Sequence, residues 1–133
     1  MTVGLDTSVV VRLLVGEPAE QAEAARRMLA DQPRGSCAIS DIVVGEAYFA
    51  LRHHYVVPHA RAVGALSALL SDPRFRATGV AKQVLEQMPD RESGAGLMDR
   101  LIHGGYEQDE IAMITFDRVA ARLPGARRLG KQH

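Results

Sequence analysis

Tryptophan is absent, and aromatic residues make up only 5% of the 133-residue chain. The core must therefore be built from Val, Leu, Ile and Ala. Cys37 is the only cysteine. A single thiol allows no internal disulfide and no cysteine zinc site, which fits a reducing compartment. It lies in the apolar run Cys37-Ala38-Ile39, so a buried core thiol is expected. No apolar stretch approaches the ~20 residues that span a membrane, and Asp6 and Arg12 interrupt the apolar start as no secretory leader would tolerate. The expectation is a cytoplasmic protein without membrane contact. Neither sign of charge dominates, with 16 basic and 16 acidic residues. That argues against binding nucleic acid through a bulk basic field, but not against a nuclease with a local acidic pocket. There is no His-Glu-x-x-His pattern, no Walker loop and no Gly-x-Gly-x-x-Gly fingerprint.

The hydrophobic share, 47%, supports a single core, and no repeat or linker divides the chain. One domain over residues 1–133 is expected, with a frayed tail from about Gly130. Val3-Gly4-Leu5 reads as a short buried strand, followed directly by a helix from Thr7 to about Leu14. Pro18 suits the first turn of a second helix bearing Ala22, Ala25, Met28 and Leu29. After the turn Gln32-Pro33-Arg34-Gly35, Cys37–Ile39 is a second strand. Ser40 then caps a helix predicted to run to about His54. Pro58 opens an amphipathic helix closed by Asp72-Pro73. Phe75–Ala77 reads as a strand, Gly79–Met88 as a helix, Asp90–Gly96 as a loop and Leu97–Tyr106 as a helix. Ile111–Ile114 is a strand, Phe116–Leu123 a short helix, and Ala126 to Leu129 a last strand. Short apolar strands alternating with helices indicate an α/β domain with a mostly parallel sheet. Such sheets bind ligands at the edge formed by the strand C-termini.

Four acidic residues stand out. Asp6 directly follows the first strand and Asp117 follows Ile111–Ile114, so both belong at that edge. Glu46 interrupts the apolar run Ile42 to Phe49, and Asp99 interrupts Leu97 to Ile102. A carboxylate buried alone is costly, whereas a shared hard cation such as magnesium compensates several. A bound cation would neutralise a phosphodiester and activate a water, and a carboxylate could accept the proton. Thr7, Ser8 and Thr115 could hydrogen-bond to the carboxylates or to bound waters. Each acid also has a plainer reading: Asp6 as a helix cap, Asp99 and Asp117 as partners of a helix dipole, Glu46 in an ion pair with a core arginine.

Read together, Leu5-Asp6-Thr7-Ser8-Val9-Val10-Val11-Arg12-Leu13-Leu14 resembles the opening motif of PIN-domain proteins. Val44-Gly45-Glu46-Ala47-Tyr48-Phe49-Ala50-Leu51 is similar to their second motif, and Gly96-Leu97-Met98-Asp99-Arg100-Leu101-Ile102 to the third. Ile114-Thr115-Phe116-Asp117-Arg118 with Leu123-Pro124-Gly125 resembles the fourth. At this length the chain looks like the VapC-type toxins of toxin–antitoxin pairs. The resemblance implies a three-layer α/β/α fold, a Mg2+- or Mn2+-dependent endoribonuclease (a hydrolase acting on RNA phosphodiesters), a homodimer and a cognate antitoxin. It implies that Asp6, Glu46, Asp99 and Asp117 form the catalytic, metal-binding quartet, with Asp6 and Asp99 the most direct ligands. Two features depart from the pattern. Ser8 stands where many members carry Asn, and His103-Gly104-Gly105 replaces Ala-rich sequence, so the helix is expected to end early or bend there.

His103 follows Asp99 by one helical turn and is either a neighbour of the metal site or a surface residue at a helix end. Arg12, Arg26, Arg27, Arg52, Arg127 and Arg128 are candidates for RNA contact. The wide apolar faces of Ser40–His54 and Pro58–Leu70 either pack within the domain or meet a second subunit or an antitoxin. Two competing readings are an inactive PIN-like binding module and a receiver-like phosphoryl-transfer domain. The latter needs a late lysine at the sheet edge, and neither Lys82 nor Lys131, the only lysines, follows a convincing late strand.

Overall fold

A computed structural model describes residues 2–130; the tail expected to fray beyond Gly130 lies outside the described residues. Strands β1 (Val3–Gly4), β2 (Cys37–Ile39) and β3 (Phe75–Ala77) form a parallel sheet in the order β1-β2-β3. Helices α1 (Thr7–Val15) and α2 (Ala19–Ala30) connect β1 to β2, and α3 (Asp41–Phe49) and α4 (His59–Ser71) connect β2 to β3. Helices α5 (Ala81–Glu86) and α6 (Leu97–Gln108) follow, then a parallel pair of two-residue strands, β4 (Ile114–Thr115) and β5 (Arg127–Arg128). Because all three strands of the main sheet are parallel, Asp6, Ser40 and Thr78 leave it at the same edge.

The core is aliphatic as expected. Val10, Cys37, Ile39, Val44, Leu66 and Leu97 are almost completely buried, so the lone thiol is a packing group. On α4, Ala62, Leu66 and Leu70 join the same core, which makes that stripe ordinary packing. At the end of α4, Arg74 clasps Asp72 through Nε and a terminal nitrogen, and its backbone N–H also donates to Asp72 Oδ1 at 2.9 Å. The side-chain hydrogen bonds of Arg74, then its backbone N–H, hold the Asp72 pKa at about 2, below the ordinary 3.8. A depressed carboxylate contributes stability that is whole above pH 3.8 and disappears as pH falls toward 2. The urea-midpoint difference between wild type and Asp72→Asn should therefore shrink through that window and be largest above it.

Several boundaries differ from the sequence reading. The helix begun at Ser40, whose hydroxyl accepts from Val43 N–H, is α-helical only to Phe49 and continues as a π-helical turn, Ala50–His54. The predicted helix Gly79–Met88 shrinks to α5, because the Asp41 carboxylate accepts the Val80 and Ala81 N–H groups and fixes its start. The strand predicted over Ile111–Ile114 survives only at its end. Glu110 adopts φ 59°, and Ile111 N–H still closes α6 by donating to Tyr106 C=O. Residues 116–123 form a single 3-10 turn, Ala120–Arg122, rather than a helix. Helix α6, expected to stop or bend at its glycines, runs unbroken to Gln108. The reason is tertiary: a Cβ on Gly104 would stand 3.0 Å from Val80 Cγ2 and 3.2 Å from Val84 Cγ2. The missing side chain lets α6 lie against α5, and that packing offsets the poor helix propensity of glycine.

Candidate metal-binding groove

Asp6 occupies the N-cap position of α1 with extended backbone angles (φ −79°, ψ 161°), yet its side chain caps nothing. Its backbone carbonyl starts the helix by accepting from Val9 and Val10 N–H. The exposed carboxylate instead accepts the Ser8 hydroxyl at 3.2 Å. The plain capping reading of Asp6 therefore fails, and a charged group is presented at the sheet edge without being consumed by the fold.

Glu46 lies beside it in the same groove. Helix α3 packs against α1, and Thr7 Oγ1 donates to Glu46 Oε1 at 2.6 Å. Glu46 is exposed, and among the described residues no arginine pairs with it. The groove has a volume of about 770 Å3 and is lined by Asp6, Thr7, Gly45, Glu46, Tyr48, Phe49, Gly96, Leu97 and Met98. Gly45 explains how its far wall forms. A Cβ there would fall on the Met98 methyl and lie 3.5 Å from Leu101 Cδ1. The bare backbone next to Glu46 is what admits the first turn of α6.

Asp99 stands half-buried in that turn, one residue beyond Met98. Asp117 is differently engaged. Its Oδ1 accepts Val119 N–H at 2.8 Å and Ala120 N–H at 2.9 Å, so it caps the 3-10 turn. Thr115 Oγ1 accepts the Asp117 backbone N–H rather than reaching a carboxylate. The groove thus brings together Asp6 and Glu46, with Asp99 carried by one of its walls. Asp117 does not line it.

Among the described residues no group of three or more His, Cys, Asp and Glu side chains is arranged to hold a metal ion. The donors present nevertheless fit a hard divalent cation. They are all oxygens, and magnesium keeps several waters and is commonly held by one or two carboxylates together with substrate phosphate. Asp6 and Glu46 supply such a pair, and Ser8 and Thr7 orient them. Against this geometry, the sequence model of the PIN domain matches residues 3–126. The chain belongs to the PIN-domain family. A search of curated protein sequences finds no match. Among solved structures, the Mycobacterium tuberculosis toxin VapC20, described as cleaving the sarcin-ricin loop, is similar at 22% identity and a TM-score of 0.44. That alignment covers 85% of this chain and 86% of that one.

Membership in the PIN-domain family removes the receiver-like alternative and assigns the three-layer α/β arrangement. His103 is neither at a metal site nor on the surface. It is 7% exposed, and its Nε2 hydrogen-bonds with Pro124 C=O at 2.6 Å, tying the C-terminal segment to α6. Of the arginines considered for RNA contact, Arg12 is held by Gln21, Arg26 and Arg27 by Glu23, and Arg52 by Glu92. Arg127 and Arg128 on β5 remain exposed, beside Phe116, which is 73% exposed; Arg128 Nε donates to Phe116 C=O. Gly45, Tyr48 and Met98 were missed as groove residues. The available signal was a glycine directly before the acid that interrupts the apolar run Ile42 to Phe49.

Proposed function

We propose that this PIN-domain protein is a VapC-type toxin, an endoribonuclease that hydrolyses RNA phosphodiesters with Mg2+ or Mn2+. The observation that carries this reading is the Asp6 carboxylate, left uncapped at the sheet edge and sharing a groove with a Glu46 already oriented by Thr7. Asp6 and Asp99 would hold the cation most directly, and Glu46 and Asp117 would complete the site. The cation would supply charge neutralisation at the phosphodiester and a lowered water pKa. Thr7 holds Glu46 Oε1, leaving Oε2 to accept a proton from the attacking water. Asp117 contributes through Oδ2, since Oδ1 is committed to Val119 and Ala120. Arg127 and Arg128 would meet the phosphate backbone.

The reading extends to partners in the cytoplasm. Ile42, Met98, Ile102 and Tyr106 on α3 and α6, with Ile111 just beyond α6, are exposed around an open cavity of about 400 Å3. This face is assigned to a second copy of the chain. A separate cavity of about 520 Å3 between α1 and α2 opens beside Ser8 and Arg12. An antitoxin seated there would reach the groove. No described helix is long and apolar enough to cross a membrane. Purified protein should cleave cellular RNA with Mg2+ or Mn2+ and stop when EDTA is added. Folded protein that cleaves no RNA under any divalent ion would leave the inactive binding module as the correct reading.

A further inference from the structure

The loop that precedes α6 is polar and contains glycine, a composition that favours mobility. It is nonetheless tied down at its start, middle and end. Pro89 C=O accepts from His59 Nε2 at 2.9 Å. Glu92 pairs with Arg52, whose other terminal nitrogen donates to Val57 C=O. Ala95 C=O accepts from Arg100 Nε at 2.7 Å. The following residue, Gly96, is the N-cap of α6 and lines the groove with Leu97 and Met98. Where residues 89–96 sit therefore sets where the first turn of α6, and Asp99 with it, packs against α3 at Gly45, beside Glu46.

His59 is the buried side-chain donor of this set, at 8% exposure. A carbonyl can only accept, so Nε2 carries the proton and donates to Pro89. In the neutral ring Nδ1 is then an acceptor, and the Tyr48 hydroxyl donates to it at 2.6 Å. The tyrosine ring also meets the imidazole edge-on, with centroids 5.8 Å apart. Tyr48 lies on α3 two residues beyond Glu46 and lines the same groove. Both imidazole nitrogens are thus spent in joining the helix that carries Glu46 to the loop that leads to Asp99.

We propose that the Tyr48–His59–Pro89 chain is a positioning strut: it holds residues 89–96 in register and so fixes the first turn of α6 against Glu46. His59 touches neither of the groove acids and acts through the loop. The inference rests on the reading of Glu46 and Asp99 as parts of one site, but the ordering of the loop is measurable without activity.

The test uses His59→Asn, His59→Gln and Tyr48→Phe in the full chain, followed by amide exchange and by RNA cleavage kinetics. Asn is too short to reach Pro89, whereas a Gln amide nitrogen can replace Nε2 as the donor. His59→Asn should speed exchange of the first hydrogen-bonded amides of α6, beginning with Arg100, by about tenfold, the equivalent of one lost hydrogen bond, and leave α1 and α2 unchanged. It should lower kcat by about tenfold or more with KM nearly constant, because misplaced groups fail in the transition state. His59→Gln should restore both, and Tyr48→Phe should fall between. Unchanged exchange in His59→Asn, exchange rising equally in α1 and α2, or a loosened loop with unaltered kcat would each overturn the proposal. If wild type cleaves no RNA, the nuclease reading falls, and the exchange contrast between Asn and Gln alone decides the strut.

Discussion

Asp6→Asn is expected to lower RNA cleavage by about a thousandfold or more while leaving the fold intact, on the scale of losing a charged group that acts on the reacting centre. Asn keeps the size of the side chain and can still accept the Ser8 hydroxyl. The Asp6 side chain caps no backbone N–H, so the start of α1 has nothing to lose. What disappears is the negative charge in the groove beside Glu46. Initial rates at saturating Mg2+, compared with Tm, separate the two effects. Asp99→Asn should follow the same course if Asp99 holds the cation directly. Asp117→Asn should be milder, because its Oδ1 serves Val119 and Ala120, and Asn preserves that acceptor. A variant with Asp6→Asn that retains wild-type rate would remove the groove from the mechanism.

Ile102→Glu is expected to convert the proposed homodimer into a monomer. Ile102 is 47% exposed and lies with Ile42, Met98 and Tyr106 on the open face of α3 and α6, beside Ile111. Its outward position means that the substitution costs the monomer core little. An unpaired carboxylate buried between two copies costs on the order of 3 kcal/mol or more, over a hundredfold in the dimer Kd. Sedimentation equilibrium of wild type and variant over a concentration series reads this directly. Wild type that sediments as a monomer throughout would end the assignment of this face to a second copy.

Local signals located much of the fold. Strands Cys37–Ile39 and Phe75–Ala77 begin and end where the sequence places them, and helices start directly after Asp6, after the capping Ser40 and after Pro58. The failures share a cause. Asp41 fixes the start of α5 from a position 39 residues away from Val80. Gly104 lies in an unbroken helix because Val80 and Val84 pack against it. His103 is buried because its Nε2 donates to Pro124 C=O, a partner that no local window contains. Residues 111–113 read as strand by apolarity, but Ile111 is still bonded to the end of α6.

The candidate site divides along the same line. From the sequence alone came the order of the four acids, their place after strands or within helices, and the mismatch of Glu46 with its apolar helix. Asp6 and Asp117 looked equivalent at that level, since each is an acid at the start of a helical segment. Only the tertiary structure distinguishes them: the Asp117 carboxylate accepts two backbone N–H groups, whereas the Asp6 carboxylate accepts none and faces a groove shared with Glu46. Spacing can put a carboxylate at a helix start, but whether it is consumed as a cap depends on the φ, ψ and rotamer imposed there. Whether it meets another acid depends on how closely two helices approach, which here a single missing Cβ at Gly45 permits.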